Sequence, residues 1–148
     1  QPNSTEALKL VKESVNVPVC VGERLYTRWD FVPILKDRLA EYLMPDILWT
    51  GGITELYKIS ALAESFYVPV SPHDASGPIN ILAGAHTMMT VLIFFKLEVN
   101  PVSLNTLNSM IDEPLNIYDG KIQLPTRPGL GINLDEEFIE AHLDNDRK

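Results

Sequence analysis

Four titratable side chains stand at the ends of four successive apolar stretches, and their types suit acid–base chemistry. They are Glu23, Asp46, His73 and Glu98. Such groups are costly to bury unless they are paired or bind a metal ion. An aspartate beside His73 would fix the imidazole tautomer and make a competent general base, and Glu23 offers an oxygen ligand of the kind that Mg²⁺ prefers. The combination predicts proton abstraction next to a metal-bound carboxylate, with Glu98 hydrogen-bonded to the oxygen that gains negative charge.

The elements that must position these residues alternate between strand-like and helix-like stretches. Strands are predicted at 17–23, 44–49, 68–73 and 93–99, and helices at 4–14, 30–43, 53–66 and 78–91. Apolar strands separated by helices indicate parallel βα units buried on both faces. The carboxyl ends of such strands carry the chemistry. A single histidine is commonly packed or solvated, whereas one titratable residue on each of four strands favours a site.

The spacing of the predicted strands points to a barrel or a doubly wound sheet, because a βα repeat of about 25 residues suits both. Four strands do not close a barrel, and the first helix has no strand before it. We therefore expect the sequence to begin midway through a larger fold. Beyond residue 100 the alternation stops: Asp119 and Gly120 predict a hairpin turn, and a short helix is predicted from Asp135 onward.

Composition argues against several classes of protein. The 148 residues carry a net charge of −8 and hold no run of lysine or arginine, which argues against nucleic-acid binding. The acidic balance also disfavours capture of an anionic substrate unless a metal ion supplies positive charge. Cys20 is the only cysteine, so we expect no internal disulfide and a reducing, cytoplasmic location. The apolar stretch 79–95 contains Asn80 and His86 and is too short for a membrane span, so no membrane association is expected.

Several stretches occur together in a recognisable order: VPVCVGERLYTRWDF, MPDILWTGGITELYKISALAE, VSPHD and PTRPGLGINLDEE. In this order and spacing they resemble the second half of the enolase superfamily barrel, in the mandelate racemase subgroup and closest to its acid-sugar dehydratases of the galactonate type. The resemblance implies an α/β fold, with the second half of a (β/α)8 TIM-type barrel, strands five to eight, over residues 1–99. It also implies that residues 100–148 form a C-terminal extension that packs on a capping domain missing from this sequence.

The same resemblance implies a role for each of the four residues. Glu23 becomes a ligand of Mg²⁺. Asp46 and His73 become the catalytic pair, and Glu98 contacts the enediolate or the substrate carboxylate. The other two metal ligands of the family precede this sequence, so we expect the 148-residue chain alone to be inactive.

Three nearby residues carry weaker expectations. Arg24 and Trp49 are candidates for substrate binding, and for Arg24 a structural ion pair is the alternative. Asp74 is interpreted either as a loop cap or as a site residue, and the sequence favours neither.

The function implied by the resemblance is that of a lyase. It is the Mg²⁺-dependent dehydration of a sugar acid, an aldonate, to a 2-keto-3-deoxy acid through an enediolate. Two alternatives stay open: a racemase or epimerase of a 2-hydroxy acid on the same scaffold, and a truncated half-barrel without catalysis. The expected partners are a small-molecule sugar acid and further copies of the chain in a homo-oligomer.

Overall fold

Helices account for most of the regular structure in the computed structural model, which describes residues 4–143. In chain order they are α1 (Thr5–Ser14), α2 (Arg28–Lys36), α3 (Ile47–Thr50), α4 (Ile53–Ser65), α5 (Pro78–Met88), a 3₁₀ turn (Pro101–Ser103), α6 (Leu104–Asn108) and α7 (Glu136–Ala141). The predicted helices at 4–14, 53–66 and 78–91 are confirmed to within a few residues. Their ends follow local chemistry: Ser4 caps α1 through its side chain, and Pro78 opens α5, where its missing N–H costs nothing.

A short parallel sheet runs between these helices. Strand β1 (Cys20–Val21) pairs with β2 (Tyr42–Leu43), and single parallel bridges join Leu43 to Val70 and Val70 to Phe94. The four segments therefore lie side by side in chain order, as in one half of a barrel. The third segment pairs only at Val70, because its neighbours Pro69 and Pro72 have no N–H to donate to a ladder.

Two predicted boundaries are wrong. Residues 47–50 form α3 and not the end of a strand, because Asp46 caps a helical turn there. The corresponding strand is Tyr42–Leu43, which lies inside the stretch predicted as helix 30–43. That helix ends at Lys36, and Arg38 takes a positive φ of 52° that stops it. The strand thus reaches the site through Met44 and Pro45 as extended chain.

The main core lies between the sheet and helices α2, α4 and α5. Its fully buried side chains include Phe31, Leu43, Leu56, Ile59 and Val70. Burying a side chain of this size stabilises the fold by about 1.5–3 kcal/mol. This packed core therefore fixes the positions of the strand ends that carry the candidate residues.

Residues after 100 form a second, smaller core against α5. Ile81 and Leu82 of α5 pack with Leu107, Ile111 and Leu115. Strands β3 (Asn116–Tyr118) and β4 (Lys121–Gln123) form the predicted hairpin. The positive φ values of 50° and 68° at its turn residues, Asp119 and Gly120, confirm the predicted turn.

An ion pair ties the loop between β4 and α7 to the chain before β3. Arg127 donates through both terminal nitrogens to Asp112, at 2.8 Å each, and holds the pKa of that carboxyl well below its usual range. Asp135 caps α7, so the predicted C-terminal helix is confirmed. The packing of residues 100–148 on a capping domain stays a prediction, and residues 144–148 lie outside the described residues.

The apolar stretch 79–95 folds as most of α5 followed by chain that reaches the bridge at Phe94. No helix within residues 4–143 is long and apolar enough to cross a bilayer.

Candidate active site

The carboxyl ends of the four parallel segments bring the four predicted residues around one imidazole. His73 Nδ1 lies 2.8 Å from Asp46 Oδ2. His73 Nε2 lies 3.8 Å from Glu23 Oε1 and 3.8 Å from Glu98 Oε2. The Nδ1 side of the ring therefore meets a buried carboxylate. The Nε2 side faces two partly exposed carboxylates at the carboxyl end of the sheet.

Backbone hydrogen bonds between neighbouring segments set this convergence. Met44 N–H donates to Val21 O at 2.8 Å, and His73 N–H donates to Pro45 O at 3.1 Å. On the far side, Glu98 N–H donates to Pro72 O at 3.4 Å. The ladder thus continues past the assigned strands and fixes each candidate residue beside the next.

Asp46 is aimed at the imidazole by two donors on its other oxygen. The N–H of Leu48, in the first turn of α3, donates to Oδ1 at 2.7 Å, and Asn80 Nδ2 donates to the same atom at 3.3 Å. Asp46 is fully buried. Carboxylate oxygens accept hydrogen bonds, so in this contact Nδ1 is the donor, and Nε2 is the ring nitrogen left facing Glu23 and Glu98.

Asn80 is a member of this network that the sequence did not reveal. Its side chain is almost completely buried on α5 and bridges two elements: Nδ2 donates to Asp46, and Oδ1 accepts from Ser76 N–H at 3.2 Å. In the sequence it stands out only as a polar residue within an apolar helix. A buried amide needs hydrogen-bond partners, and that requirement was the signal available.

Asp74, directly after His73, is also fully buried. Neither of its carboxyl oxygens has a hydrogen-bond partner among the described residues. Burial raises the pKa of Asp74 to about 8, and the negative charges of Asp46 and Glu98 add to the effect. A carboxyl with this pKa carries its proton at neutral pH.

Glu23 and Glu98 are the accessible carboxylates of the site, with side-chain exposures of 42% and 43%. Glu23 follows Gly22, whose φ of 139° turns the chain at the end of β1. A side chain at Gly22 would meet the Phe31 ring at 2.8 Å. Glycine at position 22 therefore allows the backbone to pack closely against Phe31, and this packing fixes the backbone position of Glu23.

A magnesium site is incomplete in this part of the chain. Residues 4–143 contain no cluster of three or more histidine, cysteine, aspartate or glutamate side chains arranged to hold a metal ion. Glu23 offers one suitable oxygen ligand, whereas Mg²⁺ demands a near-octahedral shell. The donors present do not make a magnesium site on their own.

Arg24 and Trp49 lie at the rim of the site. Arg24 Nε is 3.6 Å from Glu23 Oε1 with the guanidinium largely exposed, a contact that fits the structural ion pair. Trp49, on α3, is half-exposed and meets Tyr26 edge to face with ring centroids 5.8 Å apart. Substrate binding by either residue stays a prediction.

The chain is similar to a known family and to several named enzymes. A family model described as enolase C-terminal domain-like matches residues 1–138. D-xylonate dehydratase from Haloferax volcanii is 32% identical over 96% of the chain, and arabinonate dehydratase from Saccharolobus solfataricus is 30% identical over 96%. D-galactonate dehydratase from Ralstonia pickettii is 32% identical over 84%. The chain spans only 34%, 39% and 34% of the length of these relatives.

Solved structures with similar folds cover nearly the whole of this chain. A mandelate racemase/muconate lactonizing enzyme-like protein from Rubrobacter xylanophilus superposes with a TM-score of 0.89 and 36% identity, over 99% of this chain and 38% of its own. An enolase from Agrobacterium radiobacter, solved with sodium and L-malate bound, superposes with a TM-score of 0.84 and 27% identity, over 95% of this chain and 39% of its own.

Proposed function

The chain belongs to the enolase C-terminal domain-like family, and from that premise we propose that its residues serve the dehydration of a sugar acid. The predicted family resemblance is confirmed, and so is the predicted fold as the second half of a (β/α)8 barrel. The observation that carries the proposal is the buried Asp46–His73 pair with Nε2 facing the open end of the sheet. The relatives named as xylonate, arabinonate and galactonate dehydratases support an aldonate as substrate.

In the proposed reaction His73 is the base. Its Nε2 takes the proton from the carbon next to the substrate carboxylate, and the C–H electron pair moves into that carboxylate to give an enediolate. Asp46 stabilises the imidazolium that forms, because its charge and hydrogen bond favour the protonated ring. The C3–O bond then breaks as the enediolate collapses, and the leaving hydroxyl departs as water with a proton from an acid such as His73. The resulting enol takes up a proton at C3 and becomes the 2-keto-3-deoxy acid.

Two carboxylates complete the proposed assignment. Glu98 shares the space in front of Nε2, where we place it against the substrate carboxylate or the enediolate oxygen. We assign to Glu23 one oxygen ligand of Mg²⁺, with the remaining ligands outside the described residues. When bound, the cation would neutralise charge on the substrate carboxylate. The sodium and L-malate in the Agrobacterium structure support a cation together with a hydroxy acid in this fold.

Three further expectations rest on the same proposal. The small-molecule partner is a sugar acid, the protein assembles with further copies of itself, and it works in the cytoplasm. These stay predictions.

The proposal is tested in a hybrid protein, in which a relative contributes the rest of the barrel. In arabinonate dehydratase from Saccharolobus solfataricus, the matching part of the chain is replaced by residues 1–148, and the hybrid is incubated with Mg²⁺ and a panel of aldonates. We expect 2-keto-3-deoxy acid to form from at least one aldonate. An epimerised aldonate without keto acid would favour the racemase alternative. A folded hybrid that produces neither, beside an active parent enzyme, would contradict the proposal.

A further inference from the structure

The carboxyl of Asp74 occupies a notch on α5 that exists because residue 84 is glycine. An added Cβ at Gly84 would lie 2.6 Å from Asp74 Oδ1 and closer still to Oδ2. Gly84 lies in the interior of α5, where glycine costs about 1 kcal/mol relative to alanine. Helix stability therefore does not explain the glycine, whereas room for the Asp74 carboxyl does.

The seated carboxyl is neutral. An ionised carboxylate without a hydrogen bond is far too costly to bury, and neither Asp74 oxygen accepts one from the described residues. Three titratable groups act on it: His73 precedes it in the chain, and the charges of Asp46, at the start of α3, and of Glu98, beyond α5, both favour the protonated form. The neutral form keeps a second negative charge away from the Asp46–His73 pair.

The notch is one of three anchors on the short loop that carries the imidazole. His73 N–H donates to Pro45 O before the loop, and Ser76 N–H donates to Asn80 Oδ1 after it. Between these two backbone N–H donors, the Asp74 side chain anchors the loop by its contact with Gly84, next to the imidazole that meets Asp46. Because Asp74 is bonded directly to His73, its seat limits where the Cα of His73 stands and how the ring meets Asp46.

We propose that Asp74 is a positioning residue for the Asp46–His73 pair, because its carboxyl in the Gly84 notch fixes the loop from which the imidazole projects. The importance of this positioning for catalysis rests on the proposed role of the Asp46–His73 pair in proton transfer. The positioning itself is measured without substrate, so its failure and a failure of the dehydratase proposal are distinguishable.

The experiment follows the His73 ring by nuclear magnetic resonance. The chain has three histidines, so selective ¹⁵N labelling gives a spectrum simple enough to assign by substituting each in turn. We expect the Nδ1 proton of His73 to be shifted downfield and protected from exchange by Asp46. Asp74→Asn, which keeps the shape and neutrality of the side chain, should preserve this signal. Asp74→Ala and Gly84→Ala should broaden or abolish it. Gly77→Ala is the matched control, since an added Cβ there meets nothing within 4 Å.

Each outcome decides the question. An unchanged Nδ1 proton signal in folded Gly84→Ala or folded Asp74→Ala would overturn the proposal, as would its loss in Asp74→Asn. If Gly84→Ala does not fold, Asp74→Ala/Gly84→Ala removes the collision, and its ring signal should still be lost. A merely structural role predicts a lower melting temperature in Asp74→Ala with the ring signal of the folded molecules unaltered.

Discussion

At the scale of single residues, the His73→Asn substitution separates a catalytic imidazole from a structural one. Asparagine is polar and keeps a donor for Asp46, so the hybrid with arabinonate dehydratase should stay folded with nearly the same melting temperature. Turnover should fall by about 10²–10⁴ because the positioned base is gone. Product formation and melting are measured on the same sample. A variant less stable by about 1–3 kcal/mol but fully active per folded molecule would make His73 a core residue instead.

A second residue-scale prediction follows from the pKa of Asp74, which is raised from 3.8 to about 8 in the folded chain. Between these values the folded state holds a proton that the unfolded state has released, so stability falls as pH rises by about 1.4 kcal/mol per unit. Asp74→Asn lacks this titration and should be more stable at pH 7 by as much as about 4 kcal/mol. Urea unfolding of both proteins from pH 5 to 9 checks it. Parallel pH profiles would show that Asp74 does not titrate as expected.

The sequence predicted the convergence of the four site residues, missed Asn80, and left Asp74 open between a loop cap and a site residue. One titratable residue after each apolar segment was enough to predict that Asp46 and His73 meet, because parallel strands end on one edge. Asn80 and Asp74 depend on which face of α5 turns toward the loop, and an apolar helix has no amphipathic stripe to reveal that. These long-range contacts, Asn80 with Asp46 and Asp74 with Gly84, are set by tertiary packing and have no local signal in the sequence.

At the scale of elements, helices were predicted better than strands for a physical reason. Signals such as the Ser4 cap of α1 and the periodic apolar face of α4 are local in sequence. The parallel strands are two residues long or single bridges, and prolines interrupt the backbone N–H donors around them. The strand predicted at 44–49 was misplaced because apolar residues stand on both sides of Asp46, and a buried Ile47 serves a helix as well as it would a strand.

The turn out of β1 gives an element-scale prediction. Gly22→Ala places a Cβ 2.8 Å from the Phe31 ring and 3.1 Å from the Met44 backbone, at a φ of 139°. The backbone atoms are not free to move, so we expect a loss of about 2–4 kcal/mol in unfolding free energy. Gly51→Ala is the control: its φ of 100° is strained but nothing lies within 4 Å, so it should lose only about 1–2 kcal/mol. Equal losses in urea unfolding would mean that crowding at β1 contributes nothing.

At the scale of the whole molecule, residues 4–143 present two open edges of a half-barrel. The exposed Val11 of α1 lines one cavity with Cys20 and Val21 of β1, and on the opposite side the exposed Met89 lines a cavity with Phe94, two residues after the exposed Leu92. Closing a (β/α)8 barrel takes eight parallel strands, and these residues supply four parallel segments. In an isolated chain of these residues, exposed apolar side chains at the two edges would meet water, and contiguous exposed apolar patches promote association.

The exposed edge leads to a prediction about the chain in solution. Leu92 is 86% exposed beside the outermost parallel segment, so Leu92→Glu should add charge to that edge without removing any buried contact. We expect the 148-residue chain to self-associate at micromolar concentration and Leu92→Glu to shift it toward monomer, with the melting temperature unchanged. Val102→Glu is the matched control, because Val102 is 91% exposed but lies in the 3₁₀ turn that follows the carboxyl end of this segment, whereas Leu92 precedes its start. Sedimentation velocity over a range of concentrations measures the effect. If both variants behave alike, the open edge does not drive association; if only Leu92→Glu becomes monomeric, the surface that a closed barrel would bury is the one through which the chain associates.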